Sequence, residues 1–236
     1  MKKPSDYIIF ALDVDSMEKA SHFARLLSGT VGMFKIGLEL FIRTGPDIIK
    51  MIREISGAEI FLDLKLHDIP ETVKKSVSVI SGLDVRFTTL HASGGTKMLG
   101  AAAGASGNLD LLAVTVLTST SASDLAETGH DKSINTESLV VMRAQLAKNA
   151  GCSGVVCSAL EASMIRQRIG NDFYLVTPGI RPSWEVVKED DQSRIMTPAR
   201  AVSEGSDYLV IGRPISRASD PRASALRIAD EIAAVL

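Results

Sequence analysis

Three charged residues interrupt the apolar stretch FLDLKLHDIP, namely Asp63, Lys65 and Asp68. Burying a charge costs free energy unless an opposite charge or hydrogen bonds compensate it. An ammonium group held among carboxylates is suited to proton transfer and to stabilising a negative charge. The stretch therefore predicts either a catalytic site or a structural ion pair.

Two other apolar runs carry charges at corresponding positions. Lys35 lies within MFKIGLEL, and Asp13 lies near the end of YIIFALDV. Because side chains alternate along a strand, Asp63 and Lys65 are expected on one face, and Lys35 on the inward face of its own strand. Charges that converge in this way can compensate one another's burial. Their recurrence favours a catalytic site over an isolated ion pair.

Short apolar runs alternate with amphipathic stretches along the chain, which is the pattern of repeated βα units. The predicted strands are 7–14, 33–40, 59–66, 85–92, 111–119, 154–159, 173–179 and 207–212. The main helical patterns are SMEKASHFARLLSG, ETVKKSVSVISG, ESLVVMRAQLAKNAG, TPARAVSEG and PRASALRIADEIAAVL. This arrangement predicts a (β/α)8 TIM barrel, with an open doubly wound sheet as the alternative. No linker or low-complexity tract divides the sequence, so we expect one catalytic domain over residues 1–236.

The composition argues against several classes of partner. The formal net charge is −2 and the charges are interspersed, so no basic stripe matches a nucleic acid or an anionic membrane. No run approaches the roughly 18 apolar residues of a membrane span. The N-terminal MKKPSDYIIFALDV lacks the apolar region of a signal peptide, which predicts a cytoplasmic protein. Cys152 and Cys157 are expected to be small buried residues.

The motif D-L-K-x-H-D-I-P-x-T at 63–72, with the inward Lys35, resembles the orotidine 5'-phosphate decarboxylases. Further matching motifs are HASGG (91–95), TVLTS (115–119), TPGIRP (177–182), DQSRIMTP (191–198) and IGRPI (211–215). The resemblance covers nearly the whole chain, in order. It implies decarboxylation of orotidine 5'-monophosphate to UMP and CO2, the last step of de novo pyrimidine nucleotide synthesis, with no metal and no organic cofactor.

The resemblance also implies a charged catalytic array of Lys35, Asp63, Lys65 and Asp68. Loss of CO2 leaves a carbanion at C6 that the ring cannot delocalise, and Lys65 would stabilise and then protonate it. Asp68 and Thr72 would reach into the site of the other subunit of a homodimer. Each active site would therefore be shared across the interface.

The resemblance also implies which residues bind each part of the nucleotide. Asp13 and Lys35 would bind ribose hydroxyls, Asp63 would lie close to the substrate carboxylate, and Thr118 would lie on the pyrimidine side. The residues on the phosphate side would be Arg181, Gln192, Gly212 and Arg213. We interpret residues 180–193 as a lid that closes over the phosphate.

Two other functions are considered. Metal-dependent phosphosugar decarboxylases or aldolases on the same barrel are similar in their D-x-K-x-x-D pattern. They carry a metal-binding glutamate on the second strand, where this chain has Lys35, a cation that repels Mg²⁺. A non-catalytic nucleotide sensor would gain nothing from so many buried charges. His91 is interpreted as a structural, hydrogen-bonded histidine.

Overall fold

The strands form a closed barrel in the computed structural model, which describes residues 2–131, 135–184 and 195–236. Each strand pairs in parallel with the next, and the eighth pairs with the first. The strands are β1 (Ile8–Ala11), β2 (Met33–Gly37), β3 (Glu59–Leu66), β4 (Phe87–His91), β5 (Asp110–Val114), β6 (Gly154–Val156), β7 (Tyr174–Thr177) and β8 (Tyr208–Ile211). The closed order confirms the predicted (β/α)8 barrel, so the open sheet was the wrong alternative.

Helices connect the strands and pack around the barrel. The α-helices among the described residues are α1 (Met17–Leu27), α2 (Leu38–Thr44), α3 (Asp47–Ser56), α4 (Pro70–Ser81), α5 (Gly95–Ala103), α6 (Ala122–Glu127), α7 (Thr136–Asn149), α8 (Ala162–Ile169), α9 (Pro198–Ser203), α10 (Arg213–Ser216) and α11 (Pro221–Ala233). Short 3-10 turns occupy Pro4–Tyr7, Ala92–Gly94 and Ala159–Glu161. None of these helices is long and apolar enough to cross a membrane.

The helix ends follow from local sequence. The Ser16 side chain accepts a hydrogen bond from the Lys19 backbone N–H and so caps α1. Pro70 occupies the first turn of α4, where its missing N–H has no intrahelical partner to lose. Gly57 follows α3 with a φ of 68°, in the left-handed conformation that glycine adopts easily.

The predicted strand 33–40 was too long. β2 ends at Gly37, and α2 begins at the next residue without an intervening loop. Leu40 is buried, but it packs from a helix rather than from a strand. In a short apolar run, the spacing of the apolar residues does not show where a strand ends and a helix begins.

Apolar side chains fill the barrel and a second layer outside it. The inner cluster consists of Ile9, Met33, Phe61, Phe87, Leu112 and Val176. Lys35 is two residues beyond Met33, and Asp63 is two residues beyond Phe61. Both charges therefore follow the apolar layer on the inward face, toward the carboxyl ends of the strands. Cys152 and Cys157 are buried outside the barrel, as predicted.

Candidate active site

Asp63 lies at the centre of a partly buried cluster of alternating charges, in which Lys35 and Asp63 are buried and Asp13 is exposed. Both of its carboxylate oxygens are 2.8 Å from the Lys65 Nζ, and Oδ2 is 3.6 Å from the Lys35 Nζ. Lys35 Nζ is in turn 3.1 Å from Oδ1 of Asp13. The structure thus brings together four of the predicted residues in the order Asp13, Lys35, Asp63 and Lys65, with each charge next to an opposite one.

The pairing keeps the two most buried members charged. Burial alone would raise the pKa of Asp63, but the charges of Lys35 and Lys65 outweigh it and lower that pKa. Burial opposes the charge of Lys35, but the carboxylates of Asp63 and Asp13 outweigh it and raise its pKa. Both side chains therefore carry their charges throughout the neutral range.

Gly37 leaves the space in which Lys35 reaches Asp13. A Cβ at this position would lie 3.2 Å from the Lys35 Nζ and 3.5 Å from Asp13 Oδ1. A side chain here would therefore press on the Lys35–Asp13 pair. Gly37 was not predicted as a site residue; its signal in the sequence is its place at the strand end, two residues after Lys35.

Lys65 joins the cluster through an irregularity in β3. Leu62 pairs with Thr88 of β4, and the next pair is Leu66 with Leu90. Three residues of β3 therefore oppose a single residue of β4. Lys65 has a φ of 51°, in the left-handed region that side chains other than glycine rarely adopt. Regular alternation predicted that Lys65 would face Asp63, but the contact depends on this bulge.

Thr89 is the β4 residue opposite the bulge, and it is fully buried. Its hydroxyl donates to Asp63 Oδ1 at 2.8 Å and accepts the backbone N–H of Lys65 at 2.9 Å. Thr89 was not predicted as a site residue. Its signal was the pair of threonines within the apolar strand FTTLH, since a buried hydroxyl needs hydrogen-bond partners.

A cavity of about 480 Å³ opens beside the charges at the carboxyl ends of the strands. Its lining is Ala11, Asp13, Lys35, Pro178, Gly179, Arg181, Val210, Gly212, Arg213, Ser216 and Arg217. The lining thus includes three arginines, Arg181, Arg213 and Arg217, which suits an anion. Arg217 was not predicted, because it follows α10 rather than a strand.

Asp68 and Thr72 are exposed, and within the described residues neither side chain contacts this cluster. Asp68 Oδ1 accepts the backbone N–H of Ile69 at 2.6 Å, and the carboxylate forms no ion pair with any described residue. Thr118, beyond the end of β5, is buried. Gln192 lies outside the described residues.

The segment interpreted as a lid is described only at its ends, because residues 185–194 lie outside the described part of the chain. At its start Arg181 is buried and lines the cavity. Trp184 is partly buried, and the Arg227 guanidinium carbon lies 3.9 Å from the centroid of its ring. This cation–π contact fixes the beginning of the segment against α11.

His91 ends β4 next to the charged cluster. Its ring lies 5.6 Å from the ring of His67, and it is half-buried. Burial lowers its pKa, and the nearby charges of His67 and Lys65 lower it further. The neutral form is therefore favoured at neutral pH.

The chain is similar to known proteins over nearly its whole length. The model of the "Orotidine 5'-phosphate decarboxylase / HUMPS family" matches residues 6–228. An orotidine 5'-phosphate decarboxylase of Desulfosudis oleivorans is 49% identical over 235 residues, which are 98% of this chain and 94% of the relative. The crystal structure of orotidine 5'-phosphate decarboxylase from Lactobacillus acidophilus is 37% identical, with a TM-score of 0.83 over 96% of this chain and 99% of that one. The chain therefore belongs to the orotidine 5'-phosphate decarboxylase / HUMPS family.

Proposed function

We propose that this chain decarboxylates orotidine 5'-monophosphate to UMP and CO2, the last step of de novo pyrimidine nucleotide synthesis. The observation that carries the proposal is the row of Asp13, Lys35, Asp63 and Lys65 beside a cavity lined by three arginines. Relatives that match nearly the whole chain bear this enzyme's name. We further propose one catalytic domain over residues 1–236, acting in the cytoplasm.

The charge pattern suits the chemistry of the C6 carbon. When the bond from C6 to the carboxylate breaks, the electron pair stays on C6 in the plane of the ring. The Lys65 ammonium stabilises this charge and then gives C6 a proton, and solvent reprotonates the amine. Asp63 holds the ammonium in place at 2.8 Å and lies close to the substrate carboxylate. Lys35 compensates Asp63 from the other side.

The cavity accommodates the other two parts of the nucleotide. Asp13 and Lys35 at its edge bind the ribose hydroxyls. Arg213 and Arg181, with the backbone of Gly212, bind the phosphate, since guanidinium groups form bidentate hydrogen bonds with phosphate. By resemblance, Gln192 also serves the phosphate and Thr118 the pyrimidine.

The reaction is proposed to need no metal or organic cofactor. Asp13 and Asp63 are the carboxylates of the charged cluster within this chain, and each is already paired with a lysine ammonium. The second-strand position where metal-dependent relatives carry a glutamate is Lys35. A divalent cation at this place would have to displace an ammonium from both carboxylates.

We also propose a homodimer whose sites are shared. The region that carries Asp68 exposes large apolar side chains: Ile69 is 66% exposed, and Ile42 on α2 is 77% exposed. α2 follows β2 and α4 follows the adjacent strand β3, so both helices begin at the same end of the barrel. An exposed apolar surface of this kind suits burial against a second copy. Asp68 and Thr72 would then enter the site of the partner subunit.

A spectrophotometric assay with orotidine 5'-monophosphate tests the activity directly. We expect turnover that survives exhaustive treatment with EDTA. The matched assay uses a hexulose phosphate with added Mg²⁺ and should give no turnover. Activity that is lost in EDTA and restored by Mg²⁺, or turnover of the sugar phosphate alone, would favour the metal-dependent alternative.

A further inference from the structure

We propose that Thr89 is a positioning residue for the decarboxylation. Its hydroxyl fixes the Asp63 carboxylate and the backbone of Lys65 together, and so sets the direction of the Lys65 ammonium. The functional part of this proposal rests on the proposed decarboxylase activity. The structural part concerns only contacts among Thr89, Asp63 and Lys65, and it can be tested without substrate.

The Thr89 hydroxyl both donates and accepts a hydrogen bond within the charged array. Its proton goes to Asp63 Oδ1 at 2.8 Å, while its oxygen accepts the Lys65 N–H at 2.9 Å. In a regular parallel ladder, backbone N–H groups donate to carbonyls of the neighbouring strand. Here a side chain takes the place of a backbone acceptor. The Lys65 backbone can therefore leave the ladder and still have its N–H satisfied.

The use of the Thr89 hydroxyl as the acceptor explains how Lys65 holds a rare backbone conformation. A φ of 51° is unfavourable for lysine and persists only where surrounding contacts impose it. Thr89 supplies one such contact, and the Lys65–Asp63 ion pair at 2.8 Å supplies another. Because Thr89 also holds Asp63, it links the backbone of Lys65 with the partner of its side chain. Loss of the hydroxyl should release both at once.

The expected effect falls on the chemical step rather than on substrate binding. Thr89 is fully buried, and its hydroxyl contacts Asp63 and Lys65, so it acts on a bound substrate only through them. A displacement of the reacting group by roughly 1 Å can reduce the rate on the order of 100-fold. Removing the Thr89 hydroxyl should therefore lower kcat while leaving KM nearly unchanged.

Thr88 provides a matched control. It is fully buried, and its hydroxyl donates to the Leu62 carbonyl at 2.8 Å. As the preceding residue of β4, it points to the opposite face, away from Asp63 and Lys65. Thr88→Val therefore removes a buried hydroxyl hydrogen bond from the same strand without touching the array.

The experiment compares Thr89→Val, Thr89→Ser and Thr88→Val. Thr89→Val should lower kcat by about 10- to 100-fold with KM within about threefold, whereas Thr89→Ser should retain kcat within about threefold because it keeps the hydroxyl. Thr88→Val should lower thermal stability but not kcat. Since the Thr89 hydrogen bond helps to lower the pKa of Asp63, the acid limb of kcat should move to higher pH in Thr89→Val. Equal losses of kcat in the two valine variants would overturn the proposal.

Crystal structures of the valine variants test the same point without substrate. In Thr89→Val, Lys65 should leave the left-handed region and its Nζ should move away from Asp63, while Thr88→Val should keep both. An unchanged Lys65 in Thr89→Val would refute the positioning role whatever the activity. If wild type failed to turn over orotidine 5'-monophosphate, the proposed function would fail and this structural comparison would still decide the role of Thr89.

Discussion

The two ends of the barrel both hold lysines, but in opposite surroundings. At the carboxyl ends of the strands, Lys35 lies 3.1 Å from Asp13 and 3.6 Å from Asp63. At the amino ends, the Lys2 Nζ lies 3.5 Å from the ring centroid of Tyr208 and 4.0 Å from that of Tyr7. One ammonium is enclosed by carboxylates and the other by aromatic rings.

The pKa values of the two lysines move in opposite directions. Burial lowers the pKa of Lys2 to about 8, and more distant carboxylates compensate this only in part. Burial acts on Lys35 as well, but the two carboxylates in contact with it raise its pKa. A pKa of about 8 leaves Lys2 mostly protonated at neutral pH but lets it lose its proton in mildly alkaline solution, whereas the contacts with carboxylates keep Lys35 charged there. Of the two lysines, only the one at the carboxyl end keeps its charge well above neutral pH, as the proposed decarboxylation requires.

The largest expected difference is in catalysis. Lys65→Ala should lower kcat by at least about 10⁴-fold, since it removes both the proposed proton donor and the charge proposed to stabilise C6. Lys2→Met removes a partly buried lysine from the other end and should leave kcat within about twofold. Steady-state decarboxylation assays of both variants measure the contrast. Comparable losses in the two variants would show that the charges at the carboxyl end have no special part in the reaction.

The phosphate end of the cavity should give the next largest effect. Arg213→Ala should lower kcat/KM by roughly 10- to 150-fold, the loss of a hydrogen bond to a charged group. Arg222→Ala is the matched control, because Arg222 is exposed and donates to the carbonyls of Leu26 and Ser28. The nucleoside orotidine should be a poor substrate even at saturation, because binding of the remote phosphate helps to organise the reacting centre. If the nucleoside reached the same kcat as the nucleotide, Arg213 would contribute to substrate binding alone.

Stability in acid should depend on Asp63. Its folded pKa lies below the ordinary 3.8, so its contribution is present above about pH 3.8 and is lost as the pH falls through the folded value. Asp63→Asn leaves two lysines without their shared partner and should destabilise the protein at pH 7 by about 3 kcal/mol. Urea unfolding at a series of pH values should show this difference shrinking below pH 4. A difference that stayed constant from pH 7 to pH 3 would contradict the assigned pKa.

The smallest expected effect concerns Lys2. Its folded pKa of about 8 lies below the ordinary 10.5, so between these values the unfolded chain binds more protons than the folded one. The stability of wild type relative to Lys2→Met should therefore rise from pH 7.5 to pH 9.5. Urea unfolding of the two proteins at both pH values measures this slope. A relative stability that fell over this interval would show that Lys2 is not held among aromatic rings in the way described.

Much of the barrel was predictable because its signals are local. Alternation of apolar runs and amphipathic stretches located the eight strands, and a period of two placed Lys35 and Asp63 on the inward face. The end of β2 was misplaced because Leu38 and Leu40 continue an apolar run into a helix. Such errors follow from reading one short segment without the contacts that decide its conformation.

The details of the site were less predictable because they depend on contacts between distant segments. The conformation of Lys65 depends on the Thr89 hydroxyl, 24 residues away in sequence. Arg217 lines the cavity but follows α10, so no alternation along a strand predicts the direction of its side chain. The role predicted for Asp68 requires a second copy of the chain, which no pattern within one sequence can position.

The central claim is that the charges at the carboxyl end form one catalytic array, completed by Asp68 of the partner subunit. Lys65→Ala and Asp68→Asn homodimers should each be nearly inactive, since every site in either protein lacks a member of the array. After subunit exchange, a mixed dimer has one site with both changes and one site with neither. Random exchange makes about half of the dimers mixed, so the mixture should regain about a quarter of wild-type activity. No recovery, with exchange verified by mass spectrometry, would place Asp68 in its own subunit's site and contradict the shared array.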